Sequence, residues 1–174
     1  MVAVSVSVRD ARSTPADRLW IQSVYRDYLD DLTPGSGVFP VLGEFGHREP
    51  DQIAHWFGDP HALPLLIVKA SEPVGFARVL RGSGTASPRT RIDYRMGEFF
   101  VTRTRRRLGI GRIAAQLIFS RFAGRWEIAE TLRNADAVSF WRRVVAAYTR
   151  GAYQERIVNG EVLQVFDSAP ARPA

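Results

Sequence analysis

The chain has 174 residues, 45% hydrophobic and 24% charged, the size and make-up of one globular domain with its own core. It lacks cysteine, which excludes disulfides, thiolate metal sites and cysteine nucleophiles together. No apolar run reaches the ~20 residues of a membrane span, and the alternating start MVAVSVSVRD has no basic segment leading into an apolar one, so the expectation is a cytoplasmic protein without signal peptide or membrane partner. The net charge of +6 is uneven: residues 1–63 hold 5 Arg against 9 acids, and residues 64–174 hold 19 Lys and Arg against 9 acids. The basic part suits a polyanion, either nucleic acid or a phosphorylated cofactor, while the acidic part suits a cationic substrate.

Val2, Val4, Val6 and Val8 alternate with small or polar residues and predict a first strand. Thr14-Pro15-Ala16-Asp17 reads as a helix start, with Thr14 as N-cap and Asp17 in capping-box position. Trp20, Ile21, Val24, Tyr25, Tyr28, Leu29 and Leu32 follow at helical spacing until Thr33-Pro34-Gly35. A short helix is expected over residues 50–57, and Pro60 and Pro64 punctuate the stretch after it. Residues 65–70 and 74–81 read as a hairpin joined through Ser71-Glu72-Pro73, and residues 92–101 as a further strand after a Gly/Ser/Pro loop. Ile110, Ile113, Ala114, Leu117, Ile118 and Phe122 give a helix closed by Gly124. A strand over 126–132, an amphipathic helix from Val138 to Tyr148, and a hairpin turning at Asn159-Gly160 complete the order β-α-α-β-β-β-α-β-α-β-β. This is α/β of the α+β type: a central mixed sheet of about seven strands with helices on it, in a single domain over 1–167 and a frayed tail over 168–174.

The chemistry concentrates in Glu98, Phe99, Phe100 and Val101, then an arginine-rich turn, then Arg106, Arg107, Leu108, Gly109, Ile110, Gly111 and Arg112 at the start of a helix. Free N–H groups at a helix start, with the helix dipole behind them, attract an anion; glycine admits a phosphate closely and arginine adds charge-assisted hydrogen bonds. A plain helix start with a solvated basic turn has the same composition. A nucleoside-triphosphate loop needs Lys-Ser or Lys-Thr after its last glycine, and Arg112-Ile113 stand there instead. A dinucleotide fingerprint fits Gly109, Gly111 and Ala114, with Glu130 as the ribose acid, but seven residues separate Val101 from Gly109. Coenzyme A is the third candidate.

Arg106-Arg107-Leu108-Gly109-Ile110-Gly111 resembles the Arg/Gln-x-x-Gly-x-Gly/Ala loop of GCN5-related N-acetyltransferases. Asn134 opens the next helix, where that family often has an asparagine beside the pantetheine arm, and the element order is similar over nearly the whole chain. The stretch from Tyr94 to Glu155 looks like a small bacterial branch of predicted acetyltransferases. The resemblance implies four flanking helices, a mostly antiparallel sheet and a V-shaped split between the strands ending at Val101 and Leu132. It implies acetyl-CoA as co-substrate without a metal, pantetheine against the backbone of Phe99, Phe100 and Val101, and direct attack by a primary amine. A backbone N–H near Phe100 or Val101 would face the developing oxyanion.

Glu98 stands where relatives place a carboxylate near the reacting centre, and burial would make it a base; a salt bridge to an arginine such as Arg95 is the plainer alternative. Asp93 is a weaker substitute. His47, His55 and His61 lack the spacing of a metal site. The resemblance implies that residues 25–57 roof the acceptor; Tyr28, Phe39, Trp56 and Phe57 are core or pocket wall, and Asp27, Asp30, Asp31, Glu44 and Asp51 either favour a cationic amine or are simply solvated. Where many relatives carry an acidic tyrosine this chain has Trp141, which is expected to order the pantetheine; Tyr148 lies ~10 Å further along the helix. The acceptor is a small-molecule or peptide amine of unstated identity, and a CoA-binding domain without activity is the alternative. The Arg103–Arg112 cluster lacks the interleaved aromatics of a nucleic-acid site. The oligomeric state stays open, a homodimer included.

Overall fold

The computed structural model describes residues 5–32, 49–82 and 90–170. In chain order these form β1 (Val6–Asp10), α1 (Pro15–Leu32), α2 (Glu49–Gly58), β2 (Ala62–Lys69), β3 (Glu72–Arg81) and β4 (Tyr94–Val101). A single 3-10 turn (Arg103–Arg105) then leads to α3 (Ile110–Arg121), β5 (Gly124–Thr131), α4 (Ala135–Thr149), β6 (Gln154–Val158) and β7 (Glu161–Ser168). The seven strands make one sheet in the order β1-β2-β3-β4-β5-β7-β6, antiparallel throughout except for the parallel pair β4–β5. The mixed sheet with four helices is the architecture expected from the sequence.

Several local expectations shift for physical reasons. Thr14 caps α1, its hydroxyl accepting from Asp17 N–H at 3.3 Å, but the Asp17 carboxylate does not reach back. Both of its oxygens accept from Arg9, at 2.8 Å each. The β2–β3 turn is Ala70-Ser71, with φ of 47° and 73°, so Glu72 and Pro73 belong to β3. Pro64 lies inside β2 because β1 has ended at that level: the Pro64 carbonyl accepts from Ala11 N–H at 2.9 Å, and no ladder bond needs the missing amide. Phe122 is the C-cap of α3, and Gly124 opens β5 instead of ending the helix. Phe39, Glu44 and His47, with the side chain of Asp51, lie outside the described residues.

β4 and β5 are each eight residues long but pair only at Tyr94↔Trp126 and Arg95↔Glu127. On its other edge β4 stays on β3 to the end, with a register shift that leaves Gly97 as an extra residue between Met96 and Glu98. Such a bulge bends its strand and turns the following side chains over. Met96 therefore packs among residues of α3 and α4, whereas Glu98 and Phe100 face α1 and α2. The split begins where the bulge sits.

α1 and α2 cover β2 and β3 on one face, while α3 packs on β1 and β4 and α4 on β5 and β7 on the other. The first face has an aromatic core of Tyr25, Tyr28, Trp56, Phe76 and Phe100. The second is built on Phe119, Trp126, Trp141, Val145 and Phe166. Among the described residues no helix is long and apolar enough to cross a membrane. The end of α2 is held by one side chain from the end of β1: the Arg12 guanidinium donates to the carbonyls of Trp56, Phe57, Asp59 and Ala62 at 3.0 to 3.3 Å. Arg12→Ala is expected to cost about 2 kcal/mol by leaving these acceptors to water or to nothing. Urea unfolding with an unchanged m value checks it.

Candidate functional site

The loop from Val101 to α3 is built around main-chain donors. The first helical bond of α3 runs from Ile113 N–H to the Gly109 carbonyl at 3.1 Å. The six N–H groups of residues 107–112 before it have no acceptor among the described residues. Gly109 is the N-cap at φ 76°, a backbone state that glycine adopts without strain, and a Cβ there would meet nothing within 4 Å. Gly111 is glycine for a different reason, since a Cβ there would lie 3.3 Å from the Phe140 ring. Ile110 turns its side chain into the core at 2% exposure, so only its main chain faces outward. Six donors at the positive end of a twelve-residue helix form an anion cradle.

The arginines of this loop divide into two groups. Arg103 donates to Asp31 at 2.9 and 3.1 Å, and Arg105 to Glu72 at 2.7 Å. Arg106 donates to Asp31 and, at 2.8 Å, to the Val101 carbonyl, with its guanidinium 5.4 Å from the Phe100 ring centre. These three fasten the loop to α1 and β3, and Asp31 is thereby engaged within the fold. Arg107 and Arg112 are exposed or half-exposed and have no partner among the described residues. They are the charges left for a ligand.

The split runs into this cradle. Thr102 N–H donates to the Val74 carbonyl on β3, so by alternation Phe100 also points its main chain at β3. Phe99 and Val101 point theirs into the split. The Phe99 ring lies 5.8 Å from that of Phe140 and 5.1 Å from that of Trp141. Asn134 caps α4, its side-chain oxygen accepting from Ala137 N–H at 3.2 Å, which leaves its amide NH2 for another partner. Trp141 is buried at 3% exposure and donates its indole N–H to Glu130 Oε1 at 2.9 Å. Tyr148 is tied elsewhere, its hydroxyl donating to the Ala169 carbonyl at 3.2 Å.

Two carboxylates flank the split. Glu98 on β4 and Glu130 on β5 both lie beyond the last β4–β5 pair, Arg95↔Glu127. Their surroundings differ. Glu98 is bridged by both Arg78 Nε and, at 2.8 Å, Arg78 Nη2, with both side chains over 90% buried. The Arg78 guanidinium lies against Gly97 and 5.0 Å from the Trp56 ring centre. Arg95, the alternative partner for Glu98, pairs with Glu127 instead at 2.8 Å. Glu130 has no cation beside it among the described residues, and its hydrogen-bond donor is the Trp141 indole. Burial pushes its carboxyl up to about 7, the Trp141 N–H offsetting part of this and the Glu161 charge adding to it. Burial and then the Glu98 charge hold the Tyr28 phenol well above its usual range, with Glu130 contributing, so it stays protonated between them.

The family model described as "Acetyltransferase (GNAT) family" matches residues 21–145. The chain belongs to the GNAT acetyltransferase family. Among solved structures it is similar to an acetyltransferase from Thermus thermophilus, at 17% identity over 96% of this chain and 99% of that one, with a TM-score of 0.64. Aminoglycoside 6'-acetyltransferase type Ii gives 15% identity, coverages of 97% and 99%, and a TM-score of 0.62. The PaiA N-acetyltransferase of Thermoplasma acidophilum, solved with coenzyme A, gives 10%, 94% and 99%, and 0.57. No curated protein matches it in sequence.

Of the sequence-predicted residues in this GNAT fold, Phe99 and Val101 turn their main chain into the split, the Phe99 ring meets Trp141, and residues 107–112 carry the N–H groups without an acceptor among the described residues. Glu98 is present only as half of an ion pair. The residue missed from sequence is Glu130, considered there only as a ribose acid. The alternation Trp126, Ile128, Glu130 puts a carboxylate on a buried stripe, and that was the available signal. Asp93 accepts from Arg125 N–H at the far end of β4, away from the split. His55 and His61 belong to no cluster of three metal-ligating groups among the described residues.

Two expectations follow for the GNAT site. Arg107→Gln should weaken CoA binding about 3- to 10-fold without a change in melting temperature. Arg106→Gln should lose affinity and melting temperature together, because it also releases Asp31 and the Val101 carbonyl; calorimetric titration with thermal unfolding separates them. Folding favours the neutral form of Glu130, so its contribution is favourable below the ordinary 4.5 and is lost as pH rises through about 7. Glu130→Gln should flatten the fall in stability between pH 5 and 8 by up to about 3 kcal/mol, read by urea unfolding across that range. Asp17 and Glu155, held low by Arg9 and Arg142, lose their contributions only as pH falls, outside this window.

Proposed function

We propose that this chain is an acetyl-CoA-dependent N-acetyltransferase that transfers the acetyl group to a primary amine by direct attack in a ternary complex. The observation that carries this is the junction of two features: a split in the sheet after two β4–β5 pairs, and six N–H groups at its head that have no acceptor among the described residues. Residues 107–112, with the side chains of Arg107 and Arg112, would hold the pyrophosphate. The main-chain edge of Phe99 and the Asn134 amide would hold the pantetheine, as a strand takes a partner. Bound acetyl-CoA supplies the acetyl group as a thioester.

An amine arrives as an ammonium and has to lose a proton before it is nucleophilic. Support for Glu130 in that role comes from its environment: part-buried, without a cation beside it among the described residues, and poised near neutrality. Trp141 then positions the acceptor of the proton, its N–H fixing Oε1. Glu98, bridged by Arg78, holds the shape of β4 at the bulge. The Val101 N–H, directed into the split, is the donor for the developing oxyanion. With no phenol at position 141, water is the proton source for the departing thiolate, whose pKa near ~8.5 makes it a tolerable leaving group.

The same tryptophan supports the second reading, a CoA-binding domain without turnover, and one measurement separates the two. With acetyl-CoA and a panel of primary amines, wild type is expected to release CoA in an amine-dependent way. Glu130→Gln should lower kcat at least ~100-fold, with acetyl-CoA affinity within twofold. Tight CoA binding with no amine-dependent release across the panel would establish the inactive alternative.

A further inference from the structure

Among the described residues, the sheet face on the side of α1 and α2 has no helix over β5, β7 and β6. Strand alternation sends Trp126 and Ile128, and Val162, Gln164 and Phe166, to the α4 side, where they are buried. The open side therefore receives Arg125, Glu127 and Ala129 from β5, Leu163 and Val165 from β7, and Gln154 and Arg156 from β6. A hollow of about 620 Å³ lies here, between Thr90 and Arg95 at the base of β4 and Gln154 and Arg156 on β6. That volume is within the range of ligand-binding clefts.

Its charge is unbalanced. Arg95 pairs with Glu127, and Glu155 is engaged by Arg142 at 2.6 Å and Gln164 at 2.9 Å. Arg125 and Arg156 have no carboxylate partner among the described residues. Arg125 Nε is moreover buried without an acceptor among the described residues. A fixed guanidinium with a desolvated, unanswered donor calls for a carboxylate or phosphate. The hollow borders the foot of the split: Arg95 and Glu127, the last paired residues of β4 and β5, are among the residues that line it. Of the acids expected to attract a cationic acceptor, Asp31 is engaged by Arg103 and Arg106.

We propose that this hollow holds the anionic end of the acceptor, a small amine with a carboxylate or phosphate remote from its reacting nitrogen, gripped by Arg125 and Arg156. This rests on the acetyltransferase reading and adds a substrate class to it. The test uses wild type, Arg156→Gln and the double variant Arg125→Gln/Arg156→Gln, with melting temperatures as a folding control; Arg156 is exposed on an edge strand and its variant carries the test alone if the double one unfolds. First, each protein saturated with CoA is titrated with glutarate and with inorganic phosphate. Wild type should bind one of them, which names the anion, and the variants should weaken that binding at least fivefold. Second, acetyl-CoA consumption is compared for amines bearing a carboxylate or phosphate and the same amines as neutral amides or esters. The anionic members should have at least tenfold higher kcat/KM, and the variants should remove most of this through KM, leaving kcat and the acetyl-CoA KM in place. No anion binding, or a preference that the variants leave intact, overturns the proposal. Absence of any CoA binding or amine-dependent turnover overturns the acetyltransferase reading instead, and the anion titration, run without CoA, then decides the hollow by itself.

Discussion

The departure of β4 from β5 at Gly97 is the constraint from which the rest of the site follows. A parallel pair eight residues long would otherwise form a full ladder, and a closed ladder has no room for a ligand strand. The extra residue bends β4 away and turns Glu98 and Phe100 towards α1 and α2. The Arg78–Glu98 pair fills the space the bulge creates, its guanidinium against Gly97 and the Trp56 ring. Buried ion pairs of this kind are weak contributors to net stability, yet removing one partner is costly.

The electrostatics of the site follow from what the fold does with its charges. The loop between Val101 and α3 is rich in arginine, but three of its arginines are held by Asp31, Glu72 and a carbonyl, so its ligand-facing charge is smaller than its composition suggests. Asp31 on α1 is correspondingly unavailable to a substrate. The two carboxylates at the split illustrate the same rule. One meets a guanidinium and is a structural anion; the other meets an indole and an apolar wall and is left near its titration point at neutral pH.

Element order was readable because it rests on local patterns. The valine alternation, the Thr14-Pro15 start, the glycines before α3 and the Asn159-Gly160 turn, with φ of 51° and 81°, each act within a few residues. The anion cradle was readable for the same reason. What escaped depends on register. Whether Glu98 meets Arg95 or Arg78 turns on one bulged residue. That Asp31 would hold two arginines more than seventy positions away has no local trace. Glu130 was hidden by its surroundings: an acid near a strand end is ordinary, and only the packing of α4, with Trp141 turned towards it, removes it from water. Pro64 misled because a strand's tolerance of proline depends on where its neighbour stops.

The two β4–β5 pairs have a mechanical meaning. Above Glu127, the half of the sheet with α1 and α2 and the half with α4 are joined by aromatic rings across the helical face, with Phe99 against Phe140 and Trp141, and Phe119 against Trp126. Opening or narrowing the gap breaks no ladder hydrogen bond; it slides rings over one another. The molecule works there like a book whose binding is short and whose pages are kept apart by soft spacers, so the width of the gap is set by side-chain volume and can drift through substitutions at Phe99, Phe140 and Trp141 while the backbone pairing of either half stays whole.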